Sequence, residues 1–467
     1  MESNEKKGLN ISARCFITAI AVILALMILT YVLTFVIPGG EYARTTDENG
    51  SVIIDTEAGF SPVEGGIPFW KWILSPFLVL GADGSATLIA VIIFLLVIGG
   101  VFNSLEKCGL MKYMLDKISY KYGHARYKLM AVLIFFFMAM GAFIGSFEEC
   151  VPLVPIAVAL SVSLGWDVLT GVGMSLLAVG CGFASGVCNP FTVGVAQGLA
   201  GLPMFSGIWL RAVSFVFIYF LLLWFLRRHA KKVEKDICGV DNSALFETDA
   251  KKEKGLKLFA GIVGLGLVIV VSSSFISFLQ DYTMIIVALM FLVAGIVSPL
   301  ASGMSGKRLL KTFWDGLVSI LPAVIMILMA ASIKYTLDEA HVMDSMLHYA
   351  VGVASTMPKW IVVLFIYLIV LVMNFFIGSG SAKAFMLIPL IVPLAQVFGI
   401  SPQLCIVAFA FGDGFSNVFY PTNAALLISL GLANVSYGDW AKFSWKFQGL
   451  NLILTSALLM LGLAVGY

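Results

Sequence analysis

Apolar residues come in long runs along this chain, separated by short polar stretches. Runs of about twenty apolar residues are the mark of helices that cross a bilayer. The pattern predicts unbroken spans at 16–38, 86–106, 207–226, 258–279, 283–300, 312–337 and 447–467. Four further segments, 129–164, 168–199, 360–398 and 402–431, are apolar but interrupted near the middle. The 36 residues of 129–164 would extend roughly 54 Å as one straight helix, against a hydrocarbon core of about 30 Å. Segments 129–164 and 360–398 are therefore expected to fold back as re-entrant hairpins at their Gly, Ser and charged residues. Two full spans joined by a surface loop is the alternative, and it would place those charges in water. Segments 168–199 and 402–431 are expected to cross as broken helices. The first run lacks a small-residue cleavage site and is too long for a signal-peptide core, so it is read as a retained span.

Composition agrees with this pattern: 60% of residues are hydrophobic, 12% are charged, and mean hydropathy is +0.99. The net charge of +2 is less informative than where the basic residues fall. With the N-terminus in the cytoplasm, segments 1–15, 107–128, 227–257, 301–311 and 432–446 hold 23 of the 29 Lys and Arg. The outer segments keep only Arg44, Lys71 and Lys359, and the 39–70 loop is acidic. This asymmetry predicts a multi-pass protein of the cytoplasmic membrane. The stretch 227–257 is a charged cytoplasmic linker between an N-terminal half, 1–226, and a connecting span at 258–279 followed by a C-terminal half, 280–467.

The halves resemble each other. FIGSFEECVPLVPIAVAL (143–160) in one corresponds to FIGSGSAKAFMLIPLIVPL (376–394) in the other, at an offset of 233. FNSLEKCGLMKYML (102–115) aligns with KYTLDEAHVMDSML (334–347) at an offset of 232. A near-constant offset indicates an internal repeat. The segment before the first motif is basic, hence inside, and the one before the second is acidic, hence outside. The repeats are expected to be inverted. The predicted fold class is thus an all-α polytopic membrane protein of inverted repeats, with two re-entrant hairpins and two broken transmembrane helices.

Charge and broken helix inside lipid are costly and read as function. The hairpin tips carry Ser146, Glu148 and Glu149 in one half and Ser379, Ser381 and Lys383 in the other. The breaks carry Asn189 and Thr192, then Thr422 and Asn423, with Asp413 and Asn417 just upstream of the second. Free N–H groups at a helix start favour a carboxylate, and unwound carbonyls favour a cation. Glu148, Glu149 and Asp413 against Lys383 would give one shared cavity a formal charge of −2, suited to a cation or a zwitterion. Lys383 could hold a substrate carboxylate, or pair with Glu148 or Glu149 and stand in for a bound cation. Glu148, Glu149, Asp413 and Asn417 are the candidates for a coupling Na+ or H+. Arg211 and Lys334 are expected to snorkel to the interface, and the Trp and Tyr residues at 70, 72, 209, 360, 420 and 440 are expected to include interface anchors. The four histidines are read as solvated. Seven scattered cysteines form no disulfide or zinc pattern, and no metal site or cofactor is expected. No nucleotide fingerprint, no HExxH and no His near either tip are present, so neither ATP-driven pumping nor an enzyme is expected. No nucleic-acid partner is expected either; the partners are the lipid bilayer and a small-molecule substrate.

GSFEECVPLVPIAVALSVSLGWDVLTGVG, CNPFTVGVAQGLAGLP, GSGSAKAFMLIPLIVPLA and AFAFGDGFSNVFYPTNAALLISLGLA resemble the YfcC-like family, grouped with the anaerobic C4-dicarboxylate carriers of the ion transporter superfamily. The resemblance covers nearly the whole chain. It implies a scaffold domain, a transport domain, homodimers and an elevator-type movement, with basic amino acid exchange or dicarboxylate transport as the activity. Sodium-binding dicarboxylate carriers of the superfamily have Ser-Asn-Thr at both tips. The tips here read Ser146-Phe147-Glu148 and Ser379-Gly380-Ser381, without the Asn and Thr, a departure that disfavours dicarboxylate and two-sodium binding. The expected function is secondary active transport of small organic ions, foremost amino acids, as in arginine/ornithine exchange. The alternative is sodium- or proton-coupled uptake of a C4-dicarboxylate or another carboxylate.

Overall fold

The computed structural model describes residues 13–46, 52–54, 59–82, 85–122, 125–145, 147–203, 205–234, 248–273, 283–354 and 357–467. The chain is helical almost throughout. Seven described helices are long and apolar enough to cross a membrane: Arg126–Ile144, Val168–Ser185, Ile208–Val233, Gly306–Glu339, Lys359–Phe376, Gly380–Val397 and Tyr437–Ala464. Four other apolar helices of 19 to 24 residues accompany them: Ala13–Val36, Ser85–Lys107, Ala250–Ser273 and Thr283–Ala301. Phe35, Phe77, Phe220, Leu310, Trp314 and Ile453 point outward and are mostly exposed. Only lipid makes such a surface favourable, because water would penalise every exposed ring and methyl.

Several helices begin or end beyond the apolar runs that announce them. Gly306–Glu339 and Tyr437–Ala464 start six and ten residues before the spans predicted from 312 and 447. Hydropathy marks the lipid-buried part of a helix, whereas capping sets its end. Ser305 Oγ accepts from Arg308 N, and Ser436 Oγ from Asp439 N, each closing the first turn. Parts of the polar connections are also ordered. Leu110–Tyr122 and Val342–Ala354 are helices. The connection after the first helix forms two short antiparallel ladders, Gly40–Tyr42 with Phe60–Pro62 and Arg44–Thr46 with Val52–Ile54, followed by the helix Phe69–Leu78.

The helices sort into two packed groups. Ala13–Val36, Ser85–Lys107, Ala250–Ser273, Thr283–Ala301 and Gly306–Glu339 pack chiefly on one another. Small residues let them approach closely: a Cβ added at Gly316 would meet the Gly99 carbonyl and the Asn103 side chain. The hairpin segments, the broken helices, Ile208–Val233 and Tyr437–Ala464 form the second group. There the backbones of Arg126–Ala139 and Ala178–Ser185 nearly touch, since a Cβ at Gly182 would run into the backbone of Met138.

The ends of both interrupted apolar segments come together. Arg126 Nη1 donates to the Leu164 carbonyl at 3.2 Å, and Lys359 Nζ to the Gly399 carbonyl at 2.7 Å. The start of each first arm is thereby tied to the end of its second arm. The helix Ile208–Val233 relates the two bases. The Tyr467 hydroxyl donates to the carbonyl of Gly207, and Ser401 Oγ donates to the carbonyl of Tyr467, so the first end of the helix lies beside the 359–399 base. His229 meets Asp167 at 2.9 Å, and the Tyr127 hydroxyl donates to Glu234 at 2.6 Å, so the other end lies beside the 126–164 base. A helix of 26 residues is about 39 Å long. The 126–164 and 359–399 bases therefore lie at opposite ends of the bundle.

Candidate functional site

The first tip is built by a change of helical pitch. Arg126–Ala139 widens into the π-turn Met140–Ile144, which stops at Gly145 with φ +78°. A side chain could not replace this glycine: its φ is left-handed, and a Cβ would collide with Asn189. Ser146 lies outside the described residues. Phe147 is buried against Phe183, with ring centroids 6.1 Å apart. Glu148 and Glu149 then open the 3₁₀ turn Glu148–Leu153, and the α-helix Val154–Ser163 follows. Pro152 and Pro155 sit in this first stretch, where few intrahelical N–H donors are needed. Both carboxylates are half-buried, and Glu149 Oε2 has no hydrogen-bond partner among the described residues. Glu148 is close enough to Glu149 and to Asp413 for their charges to interact.

The first break faces this tip. Ala178–Ser185 ends at Gly186, with φ +48°. Asn189, fully buried, caps the next segment by accepting at Oδ1 from Phe191 N (3.0 Å) and Thr192 N (3.3 Å). Cys188 N donates to the Ala142 carbonyl at 3.0 Å, joining break to tip. Asn189 Nδ2 and Thr192 Oγ1 are buried without partners among the described residues. A donor and a hydroxyl left open in this way are what a polar ligand would need.

The second tip is a clean helix start. Ser379 Oγ caps Gly380–Val397 by accepting from Ala382 N at 3.4 Å, and it lies 3.4 Å from Ser381 Oγ. Gly380 presses against both breaks, where a Cβ would meet Thr192 Cγ2 from the N-terminal half and Asp413 Oδ2 from its own half. Lys383, one turn along, is wholly buried. Its Nζ donates to Asp413 Oδ1 and to Asn374 Oδ1. The structure thus pairs Lys383 with Asp413, which is also wholly buried, rather than with Glu148 or Glu149.

The second break follows Asp413. Pro402–Gly414 passes into the 3₁₀ turn Phe415–Val418, and Asn423 caps Ala424–Leu432 by accepting from Leu426 N at 3.1 Å. Thr422 Oγ1 donates to the Phe375 carbonyl at 2.6 Å, tying this break to the second tip. Asn423 Nδ2 reaches Asn417 Oδ1 at 3.2 Å, and Asn417 Nδ2 donates to the Asp413 carbonyl at 2.7 Å. Asn374 Nδ2 sits 3.1 Å from that same carbonyl, 2.6 Å from Ser416 Oγ and 2.9 Å from Asn417 Oδ1. Asn374 and Ser416, neither among the candidate residues read from the sequence, complete this network. A lone amide in the apolar run LVMNFF was the available signal for Asn374.

One cavity of about 790 Å3 reaches the second tip. Ile377, Gly378, Ala382 and Thr422 line it on one side and Ala330, Ala331 and Lys334 on the other. Its mouth carries Glu41, Arg44, Asp338, His341 and Asp344. Lys334 is half-exposed there and pairs with Asp338 at 3.4 Å. Arg211 does not snorkel: it is wholly buried, with Nη2 donating to the carbonyls of Phe205 (3.1 Å) and Ser206 (2.9 Å). Trp440 is likewise core rather than an interface anchor, because its Nε1 satisfies the Val418 carbonyl at 2.7 Å beside the second break. His229, His341 and His348 engage Asp167, Glu41 and the Tyr42 hydroxyl instead of standing free in solvent. His124 lies outside the described residues.

Comparison with known proteins agrees with a carrier and not an enzyme. Residues 16–464 match the family described as C4-dicarboxylate anaerobic carrier, DcuC. A protein of Escherichia coli (strain K12) named "Putative basic amino acid antiporter YfcC" is 31% identical over 403 residues, covering 82% of this chain and 79% of that one. A Haemophilus influenzae protein described only as uncharacterized is 22% identical over 513 residues, covering 98% of each chain. The YdaH transporter of Alcanivorax borkumensis superposes over 97% of this chain and 99% of its own, with a TM-score of 0.43 and 18% identity. Neisseria gonorrhoeae MtrF, presented with a class of antimetabolite efflux pumps, covers 94% of each chain at a TM-score of 0.42 and 16% identity. The family match spans almost the full length, and the chain belongs to the DcuC-type, YfcC-like carriers, a family of multi-pass membrane transporters.

Proposed function

We propose that this carrier exchanges basic amino acids, such as arginine for ornithine, across the cytoplasmic membrane. The observation that carries the reading is the pairing of charge at the site. Lys383 is consumed by Asp413, so the acidic pair at the first tip, Glu148 and Glu149, is left without a basic partner among the described residues. A charge about 4 Å from a carboxylate gains or loses about 4 kcal/mol at an effective dielectric constant near 20. Between a cationic and an anionic substrate end, that sign difference is worth several factors of ten in affinity. A dicarboxylate would bring two negative charges to two. The name of the Escherichia coli relative points the same way.

In this reading Glu148 and Glu149 hold the guanidinium or ammonium end. Ser379, Ser381 and the free N–H groups at the start of Gly380–Val397 hold the carboxylate. Asn189 Nδ2 and Thr192 Oγ1 offer unused hydrogen-bonding capacity at the first break, and Thr422 and Asn423 shape the second. Lys383 acts through Asp413 instead of touching substrate. The group containing hairpins and broken helices moves as one body past the other group, within a homodimer whose N-terminus is cytoplasmic. The test is counterflow in proteoliposomes loaded with unlabelled arginine and given labelled arginine outside. Saturable accumulation is expected, reduced about a hundredfold or more in Glu149→Gln, given about 1.4 kcal/mol per tenfold. Absence of counterflow with arginine, lysine or ornithine, together with uptake of succinate, would overturn the proposal in favour of dicarboxylate transport.

A further inference from the structure

We propose that the ammonium of Lys383 is a tethered cation occupying a built-in cation site, and that it makes this carrier independent of sodium. The inference rests on the transport site lying at the hairpin tips, but not on which substrate binds there. Lys383 Nζ lies between two side-chain oxygens from different elements, Asn374 Oδ1 on the first arm of the second hairpin and Asp413 Oδ1 on the broken helix. The Asn374 amide cannot turn away without loss. Its Nδ2 faces three acceptors, the Asp413 carbonyl, Ser416 Oγ and Asn417 Oδ1, and this leaves Oδ1 for the cation. Asp413 Oδ2 is buried without a partner and lies against Gly380, beside Thr192, whose Oγ1 is also unpartnered. Four oxygens on three separate elements thus surround or adjoin one buried positive charge. Oxygen-rich, partly anionic sites of this kind suit hard cations.

The tether changes what the site can do. A free cation would leave and release the second hairpin from the broken helix. The Lys383 ammonium is carried by the hairpin itself and does not leave, so the hairpin stays neutralised and joined to Asp413 whatever the ion gradient. Removing the side chain would leave a buried carboxylate without a counter-charge, which is strongly destabilising. It would also open room for a small cation at the same oxygens.

The test uses the full-length purified protein and follows thermal unfolding in NaCl and in choline chloride of equal ionic strength. The wild-type midpoint is expected to be the same in both salts. The Lys383→Met midpoint is expected to fall by about 5 °C or more in choline chloride and to recover saturably with added NaCl. The double variant Lys383→Met with Asp413→Asn is expected to be insensitive to sodium, because neither charge remains. A saturable sodium effect on the wild type would overturn the inference. So would a Lys383→Met protein that folds in neither salt, or that folds and ignores sodium. Arginine counterflow by the wild type with and without sodium runs alongside. Its complete absence would count against amino acid exchange and leave the unfolding result standing.

Discussion

Arg211 and Lys383 are both wholly buried cations, but their surroundings differ in kind. Lys383 faces a carboxylate, so deleting it orphans a buried charge. Arg211 faces two loop carbonyls, and its Nε and Nη1 have no partner among the described residues. Deleting Arg211 would cost hydrogen bonds and packing without stranding an anion, typically the smaller loss. Arg211→Met is therefore expected to lower the unfolding midpoint less than Lys383→Met does in sodium-free buffer. The reverse order would show that Arg211 has an anionic partner. Sterics decide a second case. A methyl at Gly182 has no space against the Met138 backbone, and overpacking of this sort costs about 1–3 kcal/mol. Gly182→Ala should lower both the unfolding midpoint and the yield of folded protein, whereas Gly264→Ala, where a Cβ meets nothing, should not.

At the scale of elements, the placement of the 126–164 and 359–399 bases at opposite ends of the bundle makes a direct prediction. Single cysteines placed at Ser163 and at Gly399, in a cysteine-free background, should react with an impermeant maleimide from opposite faces of the membrane. Labelling from the same face would mean that one segment crosses fully. The helix Leu110–Tyr122 gives a pH-dependent case outside the lipid. Lys117 Nζ donates to both Glu253 oxygens at 2.7 Å, and the Tyr113 hydroxyl donates to Oε2 at 2.9 Å. The bonds from Lys117 and Tyr113 hold the Glu253 carboxyl below the usual carboxylate range. A depressed folded-state value means the brace is fully present at neutral pH and is lost as pH falls through that value. Amide exchange over 110–122 should accelerate at acidic pH in the wild type. In Glu253→Gln it should already be fast at neutral pH and change little on acidification.

For the whole molecule, the 790 Å3 cavity lies between the two packed groups of helices and, among the described residues, reaches the second tip and break. None of the described residues of the first tip and break lines it. If the hairpin group must move past Gly306–Glu339, filling the cavity from that helix should block transport without harming the fold. Ala331→Trp, at a half-buried position on the cavity wall, is expected to reduce counterflow at least about tenfold while leaving the protein folded with a cooperative unfolding transition. Undiminished counterflow would argue against motion across this face.

The sequence by itself determined the membrane spans, the interrupted segments and the two tip motifs, because a bilayer demands about twenty apolar residues per crossing and penalises every charge placed inside it. It also marked Glu148, Glu149, Lys383 and Asp413 as residues needing explanation. It could not assign partners among them, since Lys383 lies 30 positions from Asp413 and 234 from Glu149, and separation along the chain says nothing about which carboxylate faces the ammonium. Asn374 stayed hidden for the same reason: its importance lies in the three acceptors that only packing brings to its amide. Arg211 and Trp440 looked like interface residues because their helices reach the membrane face. The tertiary structure turned both inward, onto carbonyls left unpaired by a loop and by a helix break. Hydropathy records the cost of meeting lipid, one segment at a time. Charge pairing and carbonyl satisfaction depend on distances between segments, and those are settled only when the helices pack.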